Sequence, residues 1–94
     1  MVKNRVTEIL GTEYPLIQGG MANIGTGEFA AAVSNAGALG LIASGGMDTE
    51  ELKRNIEICR RLTDKPFGVN IMLMNPEADR MARLVIEEGV KVVT

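Results

Sequence analysis

The chain has 94 residues, is 46% hydrophobic and 3% aromatic, and carries a formal net charge of −2, a globular composition with room for one small domain. Arg60-Arg61 is the one basic cluster, no apolar run is long enough to span a bilayer, and the N-terminus lacks the apolar core of a secretory signal; nucleic-acid, membrane-spanning and secreted classes are disfavoured. A single cysteine, Cys59, and no histidine exclude a disulfide framework, Ser–His or Cys–His catalysis and the usual zinc sites within this stretch, and the chain reads as cytoplasmic.

In chain order, Val2 to Leu10 predicts a short amphipathic helix with Val2, Val6, Ile9 and Leu10 on one side and Gly11 as its stop. Pro15-Leu16-Ile17-Gln18 predicts a first strand that halts at Gly19-Gly20. A helix follows from about Thr26 to Asn35, rich in small residues that allow close packing on a sheet. Ala38 to Ala43 is a second strand, apolar on both faces as in a covered parallel sheet, and Ser44-Gly45-Gly46 closes it.

Asp48 and Glu51 form a capping box for the next helix, whose buried stripe is Leu52, Ile56, Cys59 and Leu62, with Ile58 at the margin. Thr63-Asp64-Lys65-Pro66 ends it. Phe67 to Met72 is a third strand containing a polar Asn70. Asn75 as cap and Pro76 as first residue open a further helix, with Ala78, Met81, Ala82 and Val85 facing the sheet. Glu88-Gly89 stops it, and Val90 to Thr94 is a fourth strand.

Strand starts near residues 15, 39, 67 and 90 mark a βα repeat, for which right-handed crossovers and parallel strands are expected. The fold class is therefore α/β, either an open doubly wound sheet or a (β/α)8 barrel, of which a full example takes about 250 residues. Residues 1–94 are then read as N-terminal βα units forming an incomplete domain, a fragment or a chain that completes its barrel by association.

Ligand groups in βα proteins come from the C-terminal ends of the strands, and here the unusual residues gather there: Gln18 to Met21, Ser44 to Gly46, and Asn70 to Met72. Glycine amides on three strand ends suit a planar, phosphate-bearing cofactor, although Gly19-Gly20 and Gly45-Gly46 also suit plain tight turns. An amide buried in an apolar strand needs partners, which favours a ligand or network role for Asn70. Met21, Met47, Met72 and Met74 fit core filling; only Met21, beside the glycine pair, suggests a cofactor contact. Cys59 reads as a small buried hydrophobe, and Ser44 lacks a base to make it a nucleophile. Neither a P-loop nor a G-x-G-x-x-G fingerprint is complete.

Gln18-Gly19-Gly20-Met21-Ala22 and Lys65-Pro66-Phe67-Gly68-Val69-Asn70-Ile71-Met72 together resemble the FMN-dependent enoyl-acyl carrier protein reductase II family, which belongs with the nitronate monooxygenases (2-nitropropane dioxygenases). The similarity extends through Ala36-Gly37-Ala38-Leu39-Gly40 and Val85 to Thr94, and Ile71-Met72-Leu73-Met74-Asn75-Pro76 looks closer to the reductase branch. The resemblance implies the N-terminal half of a TIM barrel with FMN at its C-terminal mouth. Gly20, Met21 and Ala22 would face the flavin, Asn70 would hydrogen-bond it, and Ser44 and Gly45 would line the pocket near the ring. It further implies NADH as co-substrate, an enoyl thioester on acyl carrier protein or coenzyme A as substrate in fatty-acid synthesis, and a homo-oligomer. The family's catalytic histidine and phosphate-binding loops lie beyond this stretch, so no catalytic or metal-binding residue is assigned. Nitronate oxidation on the same scaffold and a non-catalytic, self-associating half-barrel are the alternatives.

Overall fold

The computed structural model describes residues 3–94, so the expected place of Val2 in the first helix lies outside it. Helix α1 (Arg5–Leu10) starts later than its apolar pattern suggested because Asn4 and Thr7 cap it reciprocally, and Gly11 closes it in the left-handed conformation, φ 72°. Its expected apolar side is not packed: Val6 and Ile9 are exposed, and Thr7 is the buried residue.

The first expected strand is reduced to one parallel bridge, Ile17 to Leu39. Leu39 N donates to Leu16 O and Gln18 N to Leu39 O, and there the main-chain ladder stops. The Gln18 side chain continues it: Nε2 donates to Leu41 O at 3.1 Å, and Leu41 N donates to Oε1 at 3.0 Å. A side-chain amide has the same donor–acceptor pair as a peptide, so the main chain is released to turn away at Gly19.

Helix α2 (Gly27–Asn35) begins after Thr26, whose hydroxyl accepts from Phe29 N. Strand β1 (Gly40–Ala43) is buried at every position, as its unbroken apolar run requires. A Cβ at Gly40 would stand 2.0 Å from Ala30 O, and one at Gly27 2.2 Å from Asn55 O. Both glycines are thus close-approach positions that let α2 sit against β1 and α3.

Helix α3 (Thr49–Leu62) has Asp48 accepting from Glu51 N at 2.8 Å, one half of the expected capping box. Leu52, Ile56 and Cys59 form its buried stripe; Leu62, in the last turn, is 52% exposed, a correction to the expected stripe. Strand β2 (Phe67–Asn70) pairs in parallel with β1, Ile42 opposite Val69 and Ala43 opposite Asn70.

Helix α4 (Ala78–Glu87) starts two residues later than expected. Asn75 does not cap it: its Oδ1 accepts from Glu77 N in a turn that also contains Pro76, and its amino group bonds elsewhere. Met81, Leu84 and Val85 are buried, so Leu84 takes the place expected for Ala78 and Ala82. Strand β3 (Val92–Val93) pairs in parallel with β2 and is shorter than expected, with order β1-β2-β3 across the sheet.

Ile42 and Val69 project into one core with Ala30, Ala31, Leu52, Ile56, Cys59, Met81 and Val85 from the helices. Fully burying each large side chain there contributes about 1.5–3 kcal/mol. On the sheet's opposite face Leu41 lies over Gly68, where a Cβ would stand 2.7 Å from Leu41 Cδ2. Parallel strands alternating with helices are the architecture of the N-terminal part of a (β/α)8 barrel.

Candidate functional site

The strand order brings the C-terminal ends of β1 and β2 together with the Gly19-Gly20 turn. Gly20 and Asn70 meet directly: a Cβ on Gly20 would lie 2.9 Å from Asn70 Cβ and 3.2 Å from its Oδ1. Ser44, fully buried, donates from Oγ to Asn70 O at 2.7 Å, and its amide donates to the same carbonyl at 3.1 Å. Both bonds lock the two strand ends, so Ser44 has a structural task beside any place in a pocket wall. Gly45 faces Met72, the sulfur 3.4 Å from where a Cβ would stand.

Met21 and Ala22 stand farther out, in an exposed turn in which Met21 O accepts from Ile24 N and Gly25 N. Among the described residues the amides of Gly19, Gly20, Met21 and Ala22 donate to no protein group, and neither do those of Gly45 and Gly46. Asn70 is half-buried rather than enclosed, which corrects the expectation of a buried amide. Its Nδ2 donates to Thr94 Oγ1 at 2.9 Å, and its Oδ1, beside Gly20, accepts from no described residue. Exposed amide donors next to one free amide acceptor match the edge of a planar ring that alternates carbonyls and ring N–H groups, as a flavin's does. The residues present therefore fit the ring of FMN.

Gln18, expected at this end of the sheet, serves the strand ladder there through its side-chain amide. Two further contributors were not foreseen as site-forming. Asn75 donates from Nδ2 to Met47 O at 3.0 Å, Gly45 O at 3.4 Å and Ser44 O at 3.5 Å. Glu77 accepts at Oε1 from Thr49 N at 3.2 Å and Thr49 Oγ1 at 2.5 Å, and pairs with Arg80 at 3.1 Å. The Thr49 hydroxyl and amide, with Arg80, hold the Glu77 carboxyl below the usual carboxylate range. No local pattern in the sequence distinguishes these cross-loop bonds from ordinary caps.

Two concavities lie at the other end of the strands. One of about 320 Å³ is lined by Gly11, Glu13, Asn35 and Lys65, and one of about 780 Å³ by Ile9, Leu10, Phe67 and Val92. They hold none of the six expected cofactor residues; in barrels that face serves stability rather than chemistry. Cys59 is buried, and burial pushes its thiol up to about 11, so it packs as a hydrophobe. No helix among the described residues is long and apolar enough to cross a membrane.

Known proteins carry the same framework. The FabK structure from Thermotoga maritima superposes with a TM-score of 0.96 at 52% identity, over 99% of this chain and 30% of that one. A probable nitronate monooxygenase of Staphylococcus aureus is 43% identical over 81% of this chain and 21% of its own length. A (3aS,4S,5R,7aS)-5-hydroxy-7a-methyl-1-oxo-octahydro-1H-indene-4-carboxyl-CoA dehydrogenase of Mycobacterium tuberculosis is 39% identical over 99% of this chain and 26% of its own. The chain thus spans about a quarter of the length of the curated relatives it matches. Residues 3–92 match the model of the nitronate monooxygenase family, and the chain belongs to that family.

Proposed function

We propose that this chain supplies the first wall of the flavin site in an FMN-dependent oxidoreductase, and that the whole protein reduces enoyl thioesters at the expense of NADH. The juxtaposition of Gly20 and Asn70, with free amides on one side and a free acceptor on the other, carries the flavin reading. The 52% identity with FabK supports the reductase branch, and the coenzyme A thioester in the name of the mycobacterial relative is consistent with a thioester substrate.

When bound, FMN would supply hydride transfer from NADH to the enoyl double bond. The chain's own residues bind and orient. The amides of Gly20, Met21 and Ala22 would meet the ring's acceptors, and Asn70 Oδ1 would accept from a ring N–H. Gly45 would leave room for the ring beside Met72, while Ser44 keeps the two strand ends in register. The enoyl group would be carried by acyl carrier protein or coenzyme A, and a homo-oligomer is the proposed assembly.

Nitronate oxidation is the second reading, favoured by the family match and the staphylococcal relative. Assays of the full-length protein, anaerobic with the thioester and aerated with the nitronate, separate the two. NADH oxidation that depends on a crotonyl or longer enoyl thioester is the expected result. Oxygen consumption with an alkyl nitronate, and no turnover of the thioester, would replace the first reading with the second.

A further inference from the structure

Asn75 makes two sets of bonds. Its Oδ1 accepts from Glu77 N at 2.8 Å and shapes its own turn. Its Nδ2 reaches across to the turn after β1, meeting Met47 O at 3.0 Å, Gly45 O at 3.4 Å and Ser44 O at 3.5 Å. A trans peptide is planar, with its C=O and N–H pointing in opposite directions. Drawing the carbonyls of Ser44 and Gly45 toward Asn75 therefore turns the amides of Gly45 and Gly46 to the side away from it. Those amides donate to no described residue. The turn is closed internally by Met47 N donating to Ser44 O at 3.0 Å; the Asn75 amino group adds a hold from outside on two glycines that have unusual backbone freedom.

We propose that Asn75 is a positioning residue for the cofactor: it fixes the Ser44-to-Met47 turn so that the Gly45 and Gly46 amides are preset as donors to the flavin. This rests on the flavin reading above. The Asn75→Asp variant isolates the function, because it keeps the acceptor for Glu77 N and removes the amino group that grips the carbonyls.

The experiment uses the full-length protein loaded with FMN. In Asn75→Asp the FMN dissociation constant is expected to rise about tenfold, as for loss of one to two net hydrogen bonds. The absorption bands of the flavin that remains bound should shift, and the apoprotein should stay folded but melt somewhat below wild type, because a carboxylate then faces the Met47, Gly45 and Ser44 carbonyls. Asn75→Ala should show the same flavin phenotype with a lower melting temperature, because it also loses the Glu77 bond. Wild-type affinity and spectrum in Asn75→Asp would overturn the positioning role and leave the flavin reading standing. Failure of both variants to fold would overturn it as well, in favour of a purely structural residue. A wild-type protein that takes up no FMN would overturn the flavin reading itself, and the role of Asn75 with it.

Discussion

Gln18 replaces a piece of backbone. Leu41 lies in a strand buried at every position, and its N–H and C=O are both satisfied by the Gln18 amide. A buried peptide group left without a partner costs about 1–3 kcal/mol. Gln18→Leu shortens the side chain by one atom, leaves it apolar and removes both partners, so it is expected to destabilise the full-length protein by about 2–4 kcal/mol, the sum for two orphaned groups less what added apolar burial recovers. Gln18→Glu keeps the acceptor for Leu41 N but opposes a carboxylate to Leu41 O, and should fall between the two. Chemical denaturation of the three proteins measures this. Equal stability of wild type and Gln18→Leu would mean that water reaches Leu41 and that the side chain is not part of the ladder.

At the scale of elements, helix termini are tied to one another across the sheet. Glu77, just ahead of α4, accepts from the first residue of α3, while Asp48 serves the amide of Glu51 in the same turn. An acidic group suits that place, because the N-terminal end of a helix carries partial positive charge. Glu77 is held more acidic in the folded protein, so its contribution is present above the ordinary carboxylate range and is lost as pH falls through its lowered folded value. Glu77→Gln should accordingly melt below wild type at neutral pH, with the gap closing as acid protonates the native carboxylate. Thermal melts of the pair across that range test it; a gap that stays constant with pH would assign the loss to hydrogen-bond geometry alone.

Glu77 also shows where a one-dimensional reading stops. The helices α2 and α3, the parallel strands and the Cys59 stripe are legible because periodicity and caps are local, and a residue reports its own element. Asn75 reads as a cap by the same local logic, yet its donors serve a loop about thirty residues away. The first strand was legible as an apolar run but not as a single bridge, since only the pairing partner shows that Gln18 takes over the ladder. Of the expected site residues, Gly20, Ser44, Gly45 and Asn70 share the ends of neighbouring strands, which the βα repeat alone dictates. The half-burial of Asn70 was not legible, because it depends on what stands opposite rather than on the strand's composition.

For the whole molecule, the decisive feature is how much apolar surface the 94 residues leave uncovered. Ile17 at one side of the sheet is 51% exposed, and Val93 at the other side is 49% exposed. At the C-terminal mouth Leu73 and Met74 are more exposed still, at 86% and 88%. Unpaired, apolar strand edges are templates for association. Produced alone, these 94 residues are therefore expected to self-associate, which size-exclusion chromatography with light scattering would register as species larger than a monomer that grow with concentration. The candidate flavin groups of this chain come from three neighbouring strand ends at one side of the sheet, with no arginine or lysine among them to meet a phosphate. Titration of the isolated chain with FMN should accordingly show binding weaker than about 1 μM, less than roughly 8 kcal/mol of affinity, while the full-length protein binds more tightly. A compact monomer with strongly protected amides in β1 to β3 would refute the association argument, because the exposed edges would then cost nothing. Tight, stoichiometric FMN uptake by the isolated chain would refute the binding argument, because one wall would then suffice as a site.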